Sequence, residues 1–246
     1  MTNNKKFFFA AVIIVLLLVA TAIILLSKKS LNPLKDFANY QSQEQELLAK
    51  NNTALAAANT NSGKIPAFSD NDFIVGSASA PLKVIVYESL ADNFSAELNK
   101  TLNQAQAEFA EKIALVIRPF FFNGDIDANR NWQIVACANE QKAFASTREL
   151  ILTNLAKDNN YKPDLKDLSA KLNLDEKALN QCLTAGKYQA KIAGAIKAVK
   201  NQTIFGAPTL IIGKEIITGA RAFEETKSST GEKLSGLKDI IQRNLK

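Results

Sequence analysis

The order of the periodic segments constrains this chain more than any other feature. Leu82 to Tyr87 reads LKVIVY after Pro81, an apolar, β-branched run of the kind found in the middle of a sheet. Ser89 to Asn93 then supplies small and capping residues, after which Phe94, Leu98, Leu102, Ala105 and Phe109 recur at helical spacing on one face. Ile113 to Ile117 is a second apolar run, so a strand, a right-handed crossover helix and a parallel strand are the economical reading. From Asn129 to Val199 the periodicity is helical throughout, with breaks at Asn159-Asn160, Pro163 and Gly186, which predicts about four helices. Thr209 to Ile212 and Glu215 to Thr218 are short β-branched runs separated by Gly213-Lys214, the pattern of a tight hairpin. An amphipathic helix from about Lys233 to Asn244 closes the series. The expectation is one α/β domain over residues 72–246, with an all-helical insertion over about 126–200.

Upstream, Phe7 to Leu26 runs apolar without a charge, about the length needed to cross a bilayer core of roughly 30 Å. Ala20-Thr21-Ala22 is followed by four more apolar residues rather than a polar start, which favours an uncleaved single-pass anchor over a cleaved signal. Residues 1–29 are therefore read as a tail and transmembrane helix that place the protein in the cell membrane. Lys5 and Lys6 on one side balance Lys28 and Lys29 on the other, so charge does not orient the anchor. The short tail and the cysteine pair of the large domain favour that domain on the extracytoplasmic, periplasmic side. Residues 30–71 are rich in Gln, Asn, Ala, Lys and Ser and read as a polar linker, in which Tyr40 to Ala58 has helical character without a broad apolar face.

The chain contains no histidine, which removes the commonest general base, the commonest transition-metal ligand and every imidazole-centred triad. Its formal net charge of +6 is scattered along the sequence without a basic block or aromatic-basic interleaving, so no nucleic-acid partner is expected. Cys137 and Cys182 are the only cysteines, too few for a closed zinc site. No metal and no cofactor is expected.

With the order of segments come three local motifs: GSASAPLKVIVYESLADNFSAEL from Gly76, ACANEQKAF from Ala136, and FGAPTLIIGKEIITGA from Phe205. Together, over roughly Phe73 to Leu245, they resemble the DsbA-like branch of the thioredoxin superfamily. The first is similar to the family's opening strand and active-site helix. The second is similar to the first helix of its inserted helical domain, and the third to the loop before its third strand. The resemblance implies a thioredoxin-like fold with the insertion, a cis peptide at Ala207-Pro208, and a groove around Ala207, Pro208 and Thr209 that takes extended chains.

Family members that move disulfides carry Cys-x-x-Cys where the helix N-terminus lowers the first thiol's pKa. The corresponding tetrapeptide here is Asp92-Asn93-Phe94-Ser95, with sulfur at neither end. Asp92 is a good N-cap residue; as a general acid or base, or with Ser95 as nucleophile, it has no activating partner in a chain without histidine. A resemblance to kappa-class glutathione transferases rests on a serine near this position, and Asp92 in first place argues against it.

Cys137 and Cys182 fall in two expected helices on apolar faces, and either pair structurally, closing a loop of about 45 residues, or form a redox-active pair. Some family members have a second bridge of this kind. Phe120, Phe121 and Phe122, with Trp132 nearby, read either as packing between sheet and insertion or as part of a peptide-binding surface. The expected function is a membrane-anchored, polypeptide-binding or chaperone-like module without Cys-x-x-Cys redox activity, its partner an extended polypeptide or envelope protein. The competing expectation is a thiol-disulfide oxidoreductase or isomerase working through Cys137 and Cys182.

Overall fold

The computed structural model describes residues 72–199, 204–228 and 231–246. The apolar run 7–26 read as an anchor and the linker 30–71 lie outside the described residues. Among those described, no helix is long and apolar enough to cross a membrane.

The β-branched runs build a five-stranded mixed sheet. Its strands are β1 (Phe73–Gly76), β2 (Leu82–Glu88), β3 (Ile113–Pro119), β4 (Thr209–Ile212) and β5 (Glu215–Thr218), in the spatial order β1-β3-β2-β4-β5. β2 and β3 are parallel, in register from Leu82 opposite Ile113 to Glu88 opposite Pro119, and every other pairing is antiparallel. All seven residues of β3 are buried, as a strand covered on both faces requires. The strand period of two sorts the side chains. Val84, Val86, Leu210 and Ile212 point into the main core with Leu98 and Leu102 of α1 (Asn93–Phe109) and Leu237, Ile240 and Ile241 of the closing helix. Tyr87 and Ile211 point the other way and pack with Phe120, Val199 and Ile204.

The insertion contains five α-helices rather than about four: α2 (Ile126–Ala138), α3 (Phe144–Leu155), α4 (Leu165–Leu172), α5 (Glu176–Thr184) and α6 (Gln189–Val199). Asn159-Asn160 and Pro163 share one connection, and two breaks were not expected: one at Asn173, left-handed at φ 52° between α4 and α5, and one inside ACANEQKAF, which is not one helix. α2 ends at Ala138 in a single 3-10 turn, Lys142 is left-handed at φ 59°, and the amides of Lys142 and Ala143 bond back to the carbonyls of Asn139 and Ala138. The closing helix also begins later than expected. α7 spans Leu237–Asn244, because Lys233–Leu234 (β7) pairs with Thr226–Lys227 (β6) in a separate two-stranded ribbon. In the β4–β5 turn, Gly213 sits at φ 60° and a Cβ there would lie 2.2 Å from Asn244 Oδ1, so turn and closing helix together require glycine.

Candidate functional site

The end of β2 and the start of α1 define the site. Asp92 has extended backbone (φ −123°, ψ 133°), and its Oδ2 accepts from both Ser95 N and Ser95 Oγ at 2.8 Å, a side-chain N-cap. Ser95 is buried, and its Oγ also accepts from Ser89 N at 3.2 Å. The hydroxyl is thus tied into the cap by one bond donated and one accepted. Asn93 is exposed, and Phe94 beside it is 60% exposed, the apolar tip of this turn.

Pro208 lies at the same end of the sheet. Tyr87 pairs with Thr209 across β2 and β4, so the residue before Thr209 stands level with Glu88, four residues short of Asp92. The Ala207-Pro208 peptide is cis. Thr209 Oγ1 donates to Gly206 O at 2.8 Å, and Pro208 O accepts from Gly219 N at 2.8 Å, which fastens the loop to its own base and to the chain leaving β5. Phe205, next to this loop, is half exposed.

The backbone between β2 and α1 is held by the insertion. Asn131 Nδ2 donates to Leu90 O at 2.7 Å and Trp132 Nε1 to Glu88 O at 3.2 Å, both from α2. From α3, Arg148 grips the Glu88 carboxylate through Nε and Nη2 at 2.6 and 2.5 Å and donates Nη1 to Asn99 Oδ1 at 2.7 Å. Glu88, Arg148 and Asn99 are all buried, and each charged group is paired and hydrogen-bonded, the condition under which burying charge is tolerable. None of these supports is apparent from local sequence. Glu88 and Arg148 are 60 residues apart, and the only available signal was an apolar-faced helix carrying an arginine at a position that turns out to be inside.

A second buried polar cluster flanks the first. Arg118 pairs with Asp72 at 2.6 Å and donates Nη1 to Tyr87 OH at 3.0 Å. Burial pushes the Tyr87 hydroxyl above its ordinary pKa, against the opposing pull of Arg118, so it remains protonated at neutral pH and supplies no base. The phenylalanine triplet divides between the two expectations: Phe120 is buried, whereas Phe122 is 66% exposed, edge-on to Phe120 with centroids 6.0 Å apart.

The two cysteines are elsewhere. Cys137 of α2 and Cys182 of α5 form a disulfide with S–S 2.05 Å and Cα–Cα 5.9 Å, and both residues are buried. Cys137 lies five residues further along α2 than Trp132, a rise of roughly 7.5 Å. Glu140 Oε1 lies 3.7 Å from Cys182 Sγ. A hydrogen bond from Lys187 holds the Glu140 carboxyl below the usual glutamate range, burial opposing and Tyr188 assisting. Neither cysteine stands at a helix N-terminus, and neither is free. The arrangement near Pro208 can present an apolar tip, a turned backbone and a carboxylate cap; it holds no nucleophilic sulfur.

A thioredoxin family model matches residues 69–229. Among solved structures, α-DsbA1 of Wolbachia pipientis is similar, with a TM-score of 0.57 at 18% identity, over 75% of this chain and 96% of that one. A thiol-disulfide exchange protein of the same organism, α-DsbA2, gives a TM-score of 0.54 at 16% identity, over 70% of this chain and 91% of that one. Oxidised BdbD of Bacillus subtilis gives 0.56 at 13%, over 71% and 93%. At these identities the likeness is one of fold. No curated protein matches the chain.

Proposed function

The chain belongs to the thioredoxin family, and from that premise we propose that it is a membrane-anchored, extracytoplasmic polypeptide-binding or chaperone-like module that does not use its fold for Cys-x-x-Cys electron transfer. One observation carries the reading. The helix terminus that would stabilise a thiolate is occupied by Asp92, whose carboxylate takes the Ser95 amide and hydroxyl instead. Without a thiolate, no attack on a disulfide and no mixed disulfide can arise at this position. The surroundings that suit peptide binding persist: the cis-proline loop, with Phe94 and Phe205 exposed close to it in sequence and at the tip of α1. The Cys137–Cys182 bond supports an oxidising compartment, and the apolar run 7–26 supports the anchor.

The test uses the full-length protein in detergent. The protein is expected not to reduce insulin or refold a scrambled disulfide substrate, yet to slow aggregation of an unfolded client. Phe94→Ser is expected to weaken that protection. Asp92→Cys/Ser95→Cys is expected to gain insulin reduction, because it returns sulfur to a preserved helix terminus. Wild-type activity lost in Cys137→Ala would overturn the reading in favour of an oxidoreductase working through the insertion. In intact cells, an impermeant lysine reagent is expected to label the folded domain; labelling confined to the short tail would reverse the orientation.

A further inference from the structure

A groove of about 450 Å³ with a partly apolar lining lies between the loop leaving β3 and helix α6. Its apolar walls are Phe121, Ile126, Ile192 and Ile196, and polar side chains including Asp125 and Lys197 complete the lining. Ile126 is 78% exposed, and Phe122, next to the wall residue Phe121, is 66% exposed. They are two of four large apolar side chains exposed among the described residues, the others being Phe94 and Phe205. We propose that this groove receives the chain's own segment Ile65–Phe68, so that the end of the linker docks on the domain it carries.

The direction of chain entry argues for this occupant. β1 is an antiparallel edge strand with Phe73 opposite Ile117, and one step upstream Asp72 meets Arg118 in a two-pronged ion pair. Were the chain to keep that register upstream, each earlier residue would step one place along the segment that leaves β3, and Phe68 would draw level with Phe122. α6 stands at the same point: Lys191 Nζ lies 4.6 Å from the centroid of the Phe73 ring, and the next residue, Ile192, is groove wall. Phe68 is four residues from Asp72 and Ile65 seven, a reach of at most about 14 and 24 Å. Phe121 follows Arg118, the partner of Asp72, by only three residues.

The sequence of the segment fits the same site. From Asn59 to Asn71 the chain reads NTNSGKIPAFSDN, in which Ile65-Pro66-Ala67-Phe68 is the only apolar run. Tethering by so few residues gives an effective concentration on the order of millimolar, so a contact too weak to hold a separate peptide is populated within the chain. The consequence is a division of surfaces. The groove beside α6 is taken by the leader, and the Pro208 loop is left open to other polypeptides.

The test is site-specific crosslinking in the full-length protein, with Phe68 replaced by the photoreactive residue p-benzoylphenylalanine. Illumination is expected to join position 68 to the tryptic peptides carrying Phe121–Ile126 or Ile192–Lys197, with a yield independent of protein concentration. The same residue at Asn59 should give no such product. Ile126→Glu, a change at an exposed position, is expected to lower the yield about fivefold while leaving the melting temperature in place. A concentration-dependent crosslinked dimer would assign the groove to a second copy. Capture of added unfolded client through position 126, with no product from position 68, would assign it to a separate polypeptide. Either result, or yields at 68 no higher than at 59, overturns the proposal.

Discussion

The N-terminus of α1 and the α2–α5 junction divide between them what a disulfide-exchanging relative concentrates in one place. At α1 the geometry that would tune a thiol is present, with a helix end, a tight turn and a cis-proline loop alongside, but its polar group is the Asp92 carboxylate. At α2–α5 the chain has its only two cysteines, already bonded, buried, and in the later parts of two helices, where the terminal dipole would not favour a thiolate. On the proposed reading, position in the helix, rather than the presence of cysteine, is what makes the Cys137–Cys182 bond structural.

The variants that break this comparison most forcefully act on the scaffold common to both regions. Arg148→Met leaves the buried Glu88 carboxyl without its ion-pair partner, and a stability loss of about 3–5 kcal/mol in urea unfolding is expected. Glu88→Leu/Arg148→Met together should recover most of it, because desolvation and pairing are removed at once. Next comes Cys137→Ala/Cys182→Ala. Releasing a loop of 45 residues is expected to cost about 2–4 kcal/mol, with protection of an unfolded client retained wherever the protein remains folded. Loss of that protection at full folding would make the disulfide functional.

Asp92→Ala removes only the cap, so about 1 kcal/mol is expected, while Asp92→Asn should be nearly neutral. The smallest effect is one of pH. The Glu140 carboxyl is held low chiefly by Lys187, and that of Glu215 chiefly by Arg243. A depressed folded-state pKa contributes stability that is complete above the ordinary glutamate range and fades as pH falls below it. The melting temperature should therefore drop below about pH 5, and Glu140→Gln/Glu215→Gln should flatten that slope.

The central strands, the first helix and the hairpin around Gly213 were legible in the sequence because their periodicities are long and bounded by turn residues. β1 was not, since FIVG is a four-residue edge strand that acquires meaning only opposite β3. The break at Lys142 is not legible, because a lysine in left-handed conformation carries no glycine or proline signal. At the site, Asp92 could be read as a cap from its residue type and place. Glu88, Asn131, Trp132 and Arg148 could not, because their roles come from tertiary contacts between segments more than 40 residues apart.

The insertion's hold on the β2–α1 connection separates shape from chemistry. Leu90 O, Glu88 O and the Glu88 carboxylate are the gripped points, and none belongs to the tetrapeptide that follows. The mount therefore stays rigid whichever tool is fitted to it. On the proposed reading, electron exchange is a matter of two side chains, which can change without a new fold having to be found.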